Sequence, residues 1–256
     1  MRVAPPSPGI ERIEAHFAGH GFDPHRHDTY AIGYTIAGVQ AFRYRGAGRQ
    51  CLPGEVFVLH PDETHDGRAG TSAGFRYRIV YIEPRLIADA LQVPLPFVRE
   101  PVSNDRRLAR AIKPTLDDLD APLEELRRDQ IVVEIADALA ANAAATRPLA
   151  APHRRAVARA RQFLDAQHGT VSSAALEAVT GMTRYALARH FRVCLGTSPY
   201  RYLVMRRLDR ARALIRDGTP LADTALRCGF ADQSHMTRQF KQAYGLSPGR
   251  FAAMAA

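Results

Sequence analysis

Three histidines near the start of the chain are the residues best equipped for chemistry. His25 and His27 stand two apart in "PHRHD", so on a strand they share a face, and His65 closes "HPDETH" after the apolar run "GEVFVL". Imidazole suits iron and zinc, and three histidines that leave open positions would permit metal catalysis. A second group lies toward the other end. In "RYALARHF" the residues Arg184, Tyr185, Ala188 and Arg189 surround the apolar anchors Leu187 and Phe191. In "QSHMTRQF" the residues Gln233, Ser234, His235, Thr237 and Arg238 surround Met236 and Phe240. Residues four apart share a helix face, so the anchors turn inward and the others outward. Guanidinium, amide and hydroxyl groups are what hydrogen-bond to base edges, while Ala188 could only meet a thymine methyl or make room.

The elements that hold these outward residues are repeated. "LARHFRVCLGTSPYRYL" (187–203) matches "MTRQFKQAYGLSPGRFA" (236–252) at an offset of 49, pairing Arg189 with Arg238, Phe191 with Phe240 and Gly196 with Gly245. Upstream, Gly181 pairs with Gly229 at an offset of 48. In each copy a short helix ("SAALEAVT", "LADTALRC") ends at a Gly able to close it in the left-handed conformation. A turn follows with Thr183 or Asp232 placed as N-cap, and then the anchored helix. This is the pattern of a helix-turn-helix, whose second helix enters the DNA major groove; the reading helices are expected over 183–192 and 232–244. The intervening "PYRYLVMRRLDRARALIRDG" reads as one long helix of about 30 Å. Its Arg206, Arg207, Arg210 and Arg212 read as phosphate contacts or solvated charge rather than base readers.

Charge supports the same assignment. From residue 152 onward there are 17 Arg and Lys against 6 Asp and Glu, whereas residues 1–151 carry 18 against 20. A basic excess made almost wholly of Arg, confined to the last two-fifths of the chain, points to a polyanion partner, double-stranded DNA. The three cysteines, Cys51, Cys194 and Cys228, are too few and too far apart for a disulfide framework or a zinc finger and fit a reducing cytoplasm. The N-terminus lacks the apolar run of a signal peptide, and no stretch is long enough to cross a membrane.

The first part of the chain has a different grain. "YAIGYTIAG", "QAFRYRG", "GEVFVLH" and "GFRYRIVYIEP" read as short strands divided by turns, which predicts a small antiparallel β-barrel or sandwich. The expected fold class is two-domain α+β: a strand-rich unit over 1–104, a helical dimerisation segment over 105–145, a linker over 146–152 and an all-α tandem helix-turn-helix domain over 153–256. If odd-numbered residues from His25 onward face inward, Thr35 and Ala37 line the same wall, with Tyr77 and Ile79 on a neighbouring strand.

The segments "RHFRVCLGTSPYRYLVMRRLDRARALI" and "GFADQSHMTRQFKQAYGLSPGRF" resemble the AraC/XylS family of transcriptional regulators, and "PHRHDTYAIGYTIAGVQAFRYRG" with "LPGEVFVLHPDETHDG" is similar to the cupin-type sensor domain many of them carry. The resemblance implies an N-terminal antiparallel β-barrel (cupin-like) with an effector pocket, here His25, His27, Thr35, Ala37, His65, Tyr77 and Ile79. It also implies a homodimer, usually an activator, with promoter DNA, a small-molecule effector and RNA polymerase as partners. No catalytic residue, cofactor or metal is expected. His25, His27 and His65 are the metal candidates, but metal-binding cupins usually add a Glu shortly after the pair and none occurs at 28–32. Sugar-sensing members place an Arg where Ala37 stands, which weakens a pentose as effector. Glu177 departs from the small residue usual beneath the first turn. The competing readings are a cupin metalloenzyme or metal sensor with a basic helical tail, and an effector-independent architectural DNA binder.

Overall fold

The computed structural model describes residues 1–143, 153–167, 169–195, 197–244 and 246–255. The linker expected over 146–152 lies outside the described residues, as do Gly196 and Gly245 of the repeat. By its internal contacts the chain divides into two units. The first comprises Met1–Leu123 and Ile131–Leu149, and the second Glu124–Gln130 and Ala150–Ala256.

Strands dominate the first unit: β1 (Arg2–Val3), β2 (Ile10–Phe17), β3 (His20–His25), β4 (Tyr30–Gly38), β5 (Gln40–Tyr44), β6 (Ala47–Cys51), β7 (Val56–Leu59), β8 (His65–Ala69), β9 (Phe75–Ile82) and β10 (Val102–Ser103). The strands do not close into the expected barrel. They form a six-stranded sheet in the order β1-β2-β9-β4-β7-β10 and a four-stranded sheet in the order β3-β8-β5-β6, antiparallel at every pairing. Side chains of both sheets, among them Ile13, Phe57, Phe75 and Ile79 from the first and Phe42, Tyr44 and Cys51 from the second, merge in one core. β5 and β6 are joined through Arg45 (φ 51°) and Gly46 (φ 76°), the two left-handed residues that a tight hairpin turn requires. In β4, a Cβ at Gly33 would lie 2.4 Å from both the Arg78 carbonyl oxygen and the Phe57 ring, so only glycine fits that close approach.

Three helices follow: α1 (Pro84–Leu91), α2 (Arg106–Leu116) and α3 (Glu125–Asn142). α1 was not evident from the sequence, although Pro84 starts it and Ile87, Ala90 and Leu91 are its buried face. Asp105 caps α2, accepting from the backbone N–H of Arg107 and Leu108 at 2.7 and 3.0 Å. Arg12 of β2, only 3% exposed, donates to the carbonyls of Asp118 and Ala121 just beyond the end of α2 at 2.9 and 2.8 Å. The apolar residues of the expected dimerisation segment, including Leu108, Ile112, Leu116, Ile131, Ile135 and Leu139, are buried within the chain.

The second unit is helical: α4 (Arg154–Asp165), α5 (Ser173–Thr180), α6 (Arg184–Leu195), α7 (Pro199–Arg216), α8 (Leu221–Arg227), α9 (Gln233–Tyr244) and α10 (Pro248–Ala255). One apolar core runs through it, with Leu164, Leu176, Leu187, Phe191, Leu203, Leu208, Met236 and Phe240 at its centre and Leu126 as its contribution from the α3 end. Among the described residues no helix is long and apolar enough to cross a membrane.

Candidate nucleic-acid interface and sensor residues

The same local devices build both reading helices. α5 ends at Gly181 (φ 69°) and α8 gives way to Gly229 (φ 76°), each left-handed as a helix terminator must be. Thr183 Oγ1 then accepts from the N–H of Ala186 at 3.4 Å, and Asp232 Oδ1 from that of His235 at 2.6 Å, so both expected caps form. Leu187, Phe191, Met236 and Phe240 are at most 1% exposed, which fixes each helix by its inner face. Between the modules, α7 is capped by Ser198 Oγ, which accepts from Arg201 N–H at 3.1 Å. Its 18 residues span about 27 Å, close to the ~34 Å between successive major grooves on one face of DNA.

The outward residues divide unequally. Gln233 and Ser234 are exposed, and Arg189, Thr237 and Arg238 are half-buried. Tyr185 and Ala188, expected on the surface, are 7% and 8% exposed, and His235 is 6% exposed. The His235 ring meets Phe230 edge-on at 5.5 Å, and burial pushes its pKa down. Helical spacing places a residue on a face; it does not show what covers that face. His235 is therefore a packing residue between the turn and α9, not a groove contact.

The start of α3 lies beside Arg184 and Ala188 of α6. Residues 124–130, expected within the helical segment that follows the strands, belong by contacts to the second unit. Leu126, Asp129 and Gln130 share one small cavity with Arg184, Leu187 and Ala188. Ser198 Oγ donates to Gln130 Oε1 at 2.7 Å, and Ser173 Oγ donates to Asp129. The Arg184 guanidinium lies 3.9 Å from both Glu125 and Asp129 and 3.3 Å from Glu177. Glu177 also accepts from the Arg184 backbone N–H at 2.7 Å. The departure at that position thus has a local use: the carboxylate serves the positive end of α6.

The α7 arginines are mostly structural. Arg207, fully buried, donates to both Glu124 oxygens at 2.9 and 3.0 Å and to the Gly169 carbonyl at 2.9 Å. Arg206 pairs with Asp209 at 2.8 Å, Arg210 donates to the Asp165 carbonyl at 3.1 Å, and Arg212 sits over the Tyr244 ring at 5.0 Å. Arg207 is neither a phosphate contact nor solvated charge. Its burial was legible only in the 3.6-residue phase it shares with Val204, Leu208 and Ala211.

In the first unit the three histidines do come together. Ring centroids of His25 and His65 are 4.5 Å apart, those of His27 and His65 4.9 Å, and those of His25 and His27 6.1 Å. Each Nδ1 lies 2.9 to 3.0 Å from a backbone carbonyl, of Asp23, Thr29 and Glu63 respectively. A carbonyl only accepts, so each Nδ1 carries a proton and Nε2 is the nitrogen left for other partners. His27 Nε2 is buried without a hydrogen-bond partner among the described residues. Burial pushes His65 down to about 4 and also lowers His27. Among the described residues no group of three or more His, Cys, Asp or Glu is arranged to hold a metal ion.

The other pocket residues separate. Tyr77 and Ile79 are packed in the core between the sheets, Tyr77 stacked on Phe75 at 5.6 Å. Thr35 is wholly buried and donates to the Cys51 carbonyl at 3.2 Å. Ala37 is exposed, because a register irregularity between Thr35 and Ala37 breaks the alternation that would have turned it inward. Two aromatic neighbours of the histidines had not been singled out: Phe22, 5.1 Å from His25, and Tyr81, 5.2 Å from His27. Tyr81 follows Tyr77 and Ile79 at strand spacing, so its face was readable.

Comparison with known proteins agrees with this division. Residues 7–136 match the family described as AraC-like ligand binding domain, and residues 176–254 match one described as helix-turn-helix domain. YbfI of Bacillus subtilis (strain 168), an uncharacterised helix-turn-helix transcriptional regulator, is 24% identical over 223 residues, covering 84% of this chain and 81% of its own. The transcriptional activator RhaS of Escherichia coli is 38% identical over 63 residues, 24% of this chain and 23% of its own. The crystal structure of a probable AraC family regulator from Rhodopseudomonas palustris is 26% identical, covers 40% of this chain and 97% of its own, and has a TM-score of 0.37.

Proposed function

The chain belongs to the AraC-like ligand-binding family of helix-turn-helix transcriptional regulators, and from that premise we propose that it is an effector-responsive activator that reads two successive major grooves with α6 and α9. The observation that carries this is the duplicated module: two helices, each with a left-handed Gly before it, a side-chain cap and two buried anchors, at either end of the 18-residue α7. Gln233, Ser234, Thr237 and Arg238 are the groove contacts of the second helix, and Arg189 with the start of α6 those of the first. The effector site is the histidine cluster with Phe22 and Tyr81, where the Nε2 atoms of half-buried His27 and buried His65 and two aromatic faces would accept a small ligand bearing a hydrogen-bond donor. The protein acts in the cytoplasm, as a homodimer, and recruits RNA polymerase. These last points rest on the family resemblance and the thiol usage.

Selection of a binding site from a random DNA library, followed by gel-shift titration, tests the reading. Arg238→Ala is expected to weaken binding to the selected site by about 1–3 kcal/mol and to relax specificity at one base pair. An equal loss on random DNA would reduce Arg238 to a phosphate contact, and failure to select any sequence would overturn the proposal.

A further inference from the structure

We propose that segment 124–130, through Glu125 and Asp129, masks the first reading helix, so that the second helix-turn-helix meets DNA first and the first engages only when the segment is released. The inference rests on α6 and α9 being the DNA readers, and goes beyond that reading by making them inequivalent.

The repeat supplies an internal control. At the offset of 49, Tyr185 corresponds to Ser234 and Ala188 to Thr237. Ser234 is exposed and Thr237 half-buried, whereas Tyr185 and Ala188 are 7% and 8% exposed. Two modules with equivalent anchors and caps thus differ in exposure at these two positions, although His235 of the second is itself buried. The difference coincides with residues of α3 at the first module: Leu126, Asp129 and Gln130 share a cavity with Ala188 and Arg184. At the second module the segment contributes Glu124, paired with Arg207, whose guanidinium lies over the Phe230 ring at 5.9 Å.

The chemistry of the cover matches that of DNA. Glu125 and Asp129 place carboxylates 3.9 Å from the Arg184 guanidinium, the first cation of the reading helix. A phosphate or a base acceptor would seek the same donors, so the segment and DNA compete for one face. The Glu125–Arg184 pair, 3.9 Å apart and partly exposed on both sides, is a weak contact, whereas Asp129, its side chain 5% exposed, is also held by Ser173. Leu126 supplies the apolar part of the contact. The segment lies at the start of α3, whose residues from Ile131 onward belong to the first unit, so a covalent path leads from the sensor to the mask.

Two measurements on the full-length protein decide the matter. The first is fluorescence-anisotropy titration of a labelled 40-bp random-sequence duplex. Glu125→Gln/Asp129→Asn is expected to bind at least fivefold more tightly than Glu134→Gln/Asp137→Asn, which removes the same two charges from the same helix beyond the segment. Equal affinities would overturn the mask. The second needs neither DNA nor the charge variants. In a Cys194→Ser background, Ala188→Cys should react with a maleimide at least tenfold more slowly than Ser234→Cys. Equal reaction rates show an open first helix and also overturn it. Absence of DNA binding in every variant would instead refute the assignment of α6 and α9 as readers, and the labelling ratio would still decide whether α6 is covered.

Discussion

His60 and His65 are each pushed down to about 4, first of all by burial; at His60 the nearby Arg45 adds to the effect, and the backbone contacts of both rings oppose it. His60 Nε2 lies 3.1 Å from the Val98 N–H and 3.2 Å from the Val98 carbonyl, and one nitrogen cannot accept from the first while donating to the second, so burial is what keeps this ring neutral. In the unfolded chain both groups return to the ordinary histidine range near 6.5. Below that value the unfolded state takes up protons that the folded state refuses, so the stability these rings contribute is present above pH 6.5 and is lost as pH falls toward 4. Urea unfolding of the protein should therefore show a midpoint that drops between pH 6.5 and 4.5, and His65→Gln should flatten the drop. A midpoint independent of pH in that window would refute the neutral, buried rings. Residue type identified His25, His27 and His65 as a group, but the expected shared strand face does not form: His25 pairs with His65 across β3 and β8, and His27 lies beyond the end of β3. His60 was passed over, since a lone histidine at the end of a strand gives no sign of a partner 38 residues away.

The turns that begin the reading helices show how element boundaries are set. Gly181, Gly229, Thr183 and Asp232 follow from local backbone rules, and all four were readable as glycine terminators and caps. Glu177 was visible only as a departure; its role required knowing that its carboxylate reaches the Arg184 N–H across the turn. Glu177→Ala should cost about 0.5–2 kcal/mol, the range for loss of a helix cap, measured by urea unfolding, with Glu177→Gln recovering part of the loss. No change in either variant would mean the cap is idle. In the first unit, β4, β5, β7 and β9 stood out by their aromatic and β-branched runs. β2, β3, β6 and β8 did not, because "IERIEAHF", "HGFDPH", "AGRQC" and "HDGRA" are interrupted by charged residues, histidine or glycine. Their pairing is decided by neighbours distant in sequence. The same reason separates a barrel from two sheets: strand composition is alike in both, and only the pairing of edges distinguishes them.

At the scale of the molecule, the chain divides its chemistry as its charge suggests: net −2 over residues 1–151 and net +11 beyond. The division into a strand-rich unit and a helical reading unit was legible from periodicity, repeat and charge together. The assignment of residues 124–130 to the reading unit was not, since "EELRRDQ" has the composition of any solvated helix start. The central claim is that one chain reads two adjacent grooves, and hydroxyl-radical footprinting on a duplex selected by the protein itself tests it most directly. In the Glu125→Gln/Asp129→Asn background, where the first helix is free to engage, each bound chain should protect two patches on one face of the DNA, centred about one helical turn (~10 bp) apart. Arg238→Ala should weaken the patch at one end only. A single patch per chain, or protection that Arg238→Ala weakens evenly across the site, would contradict the account.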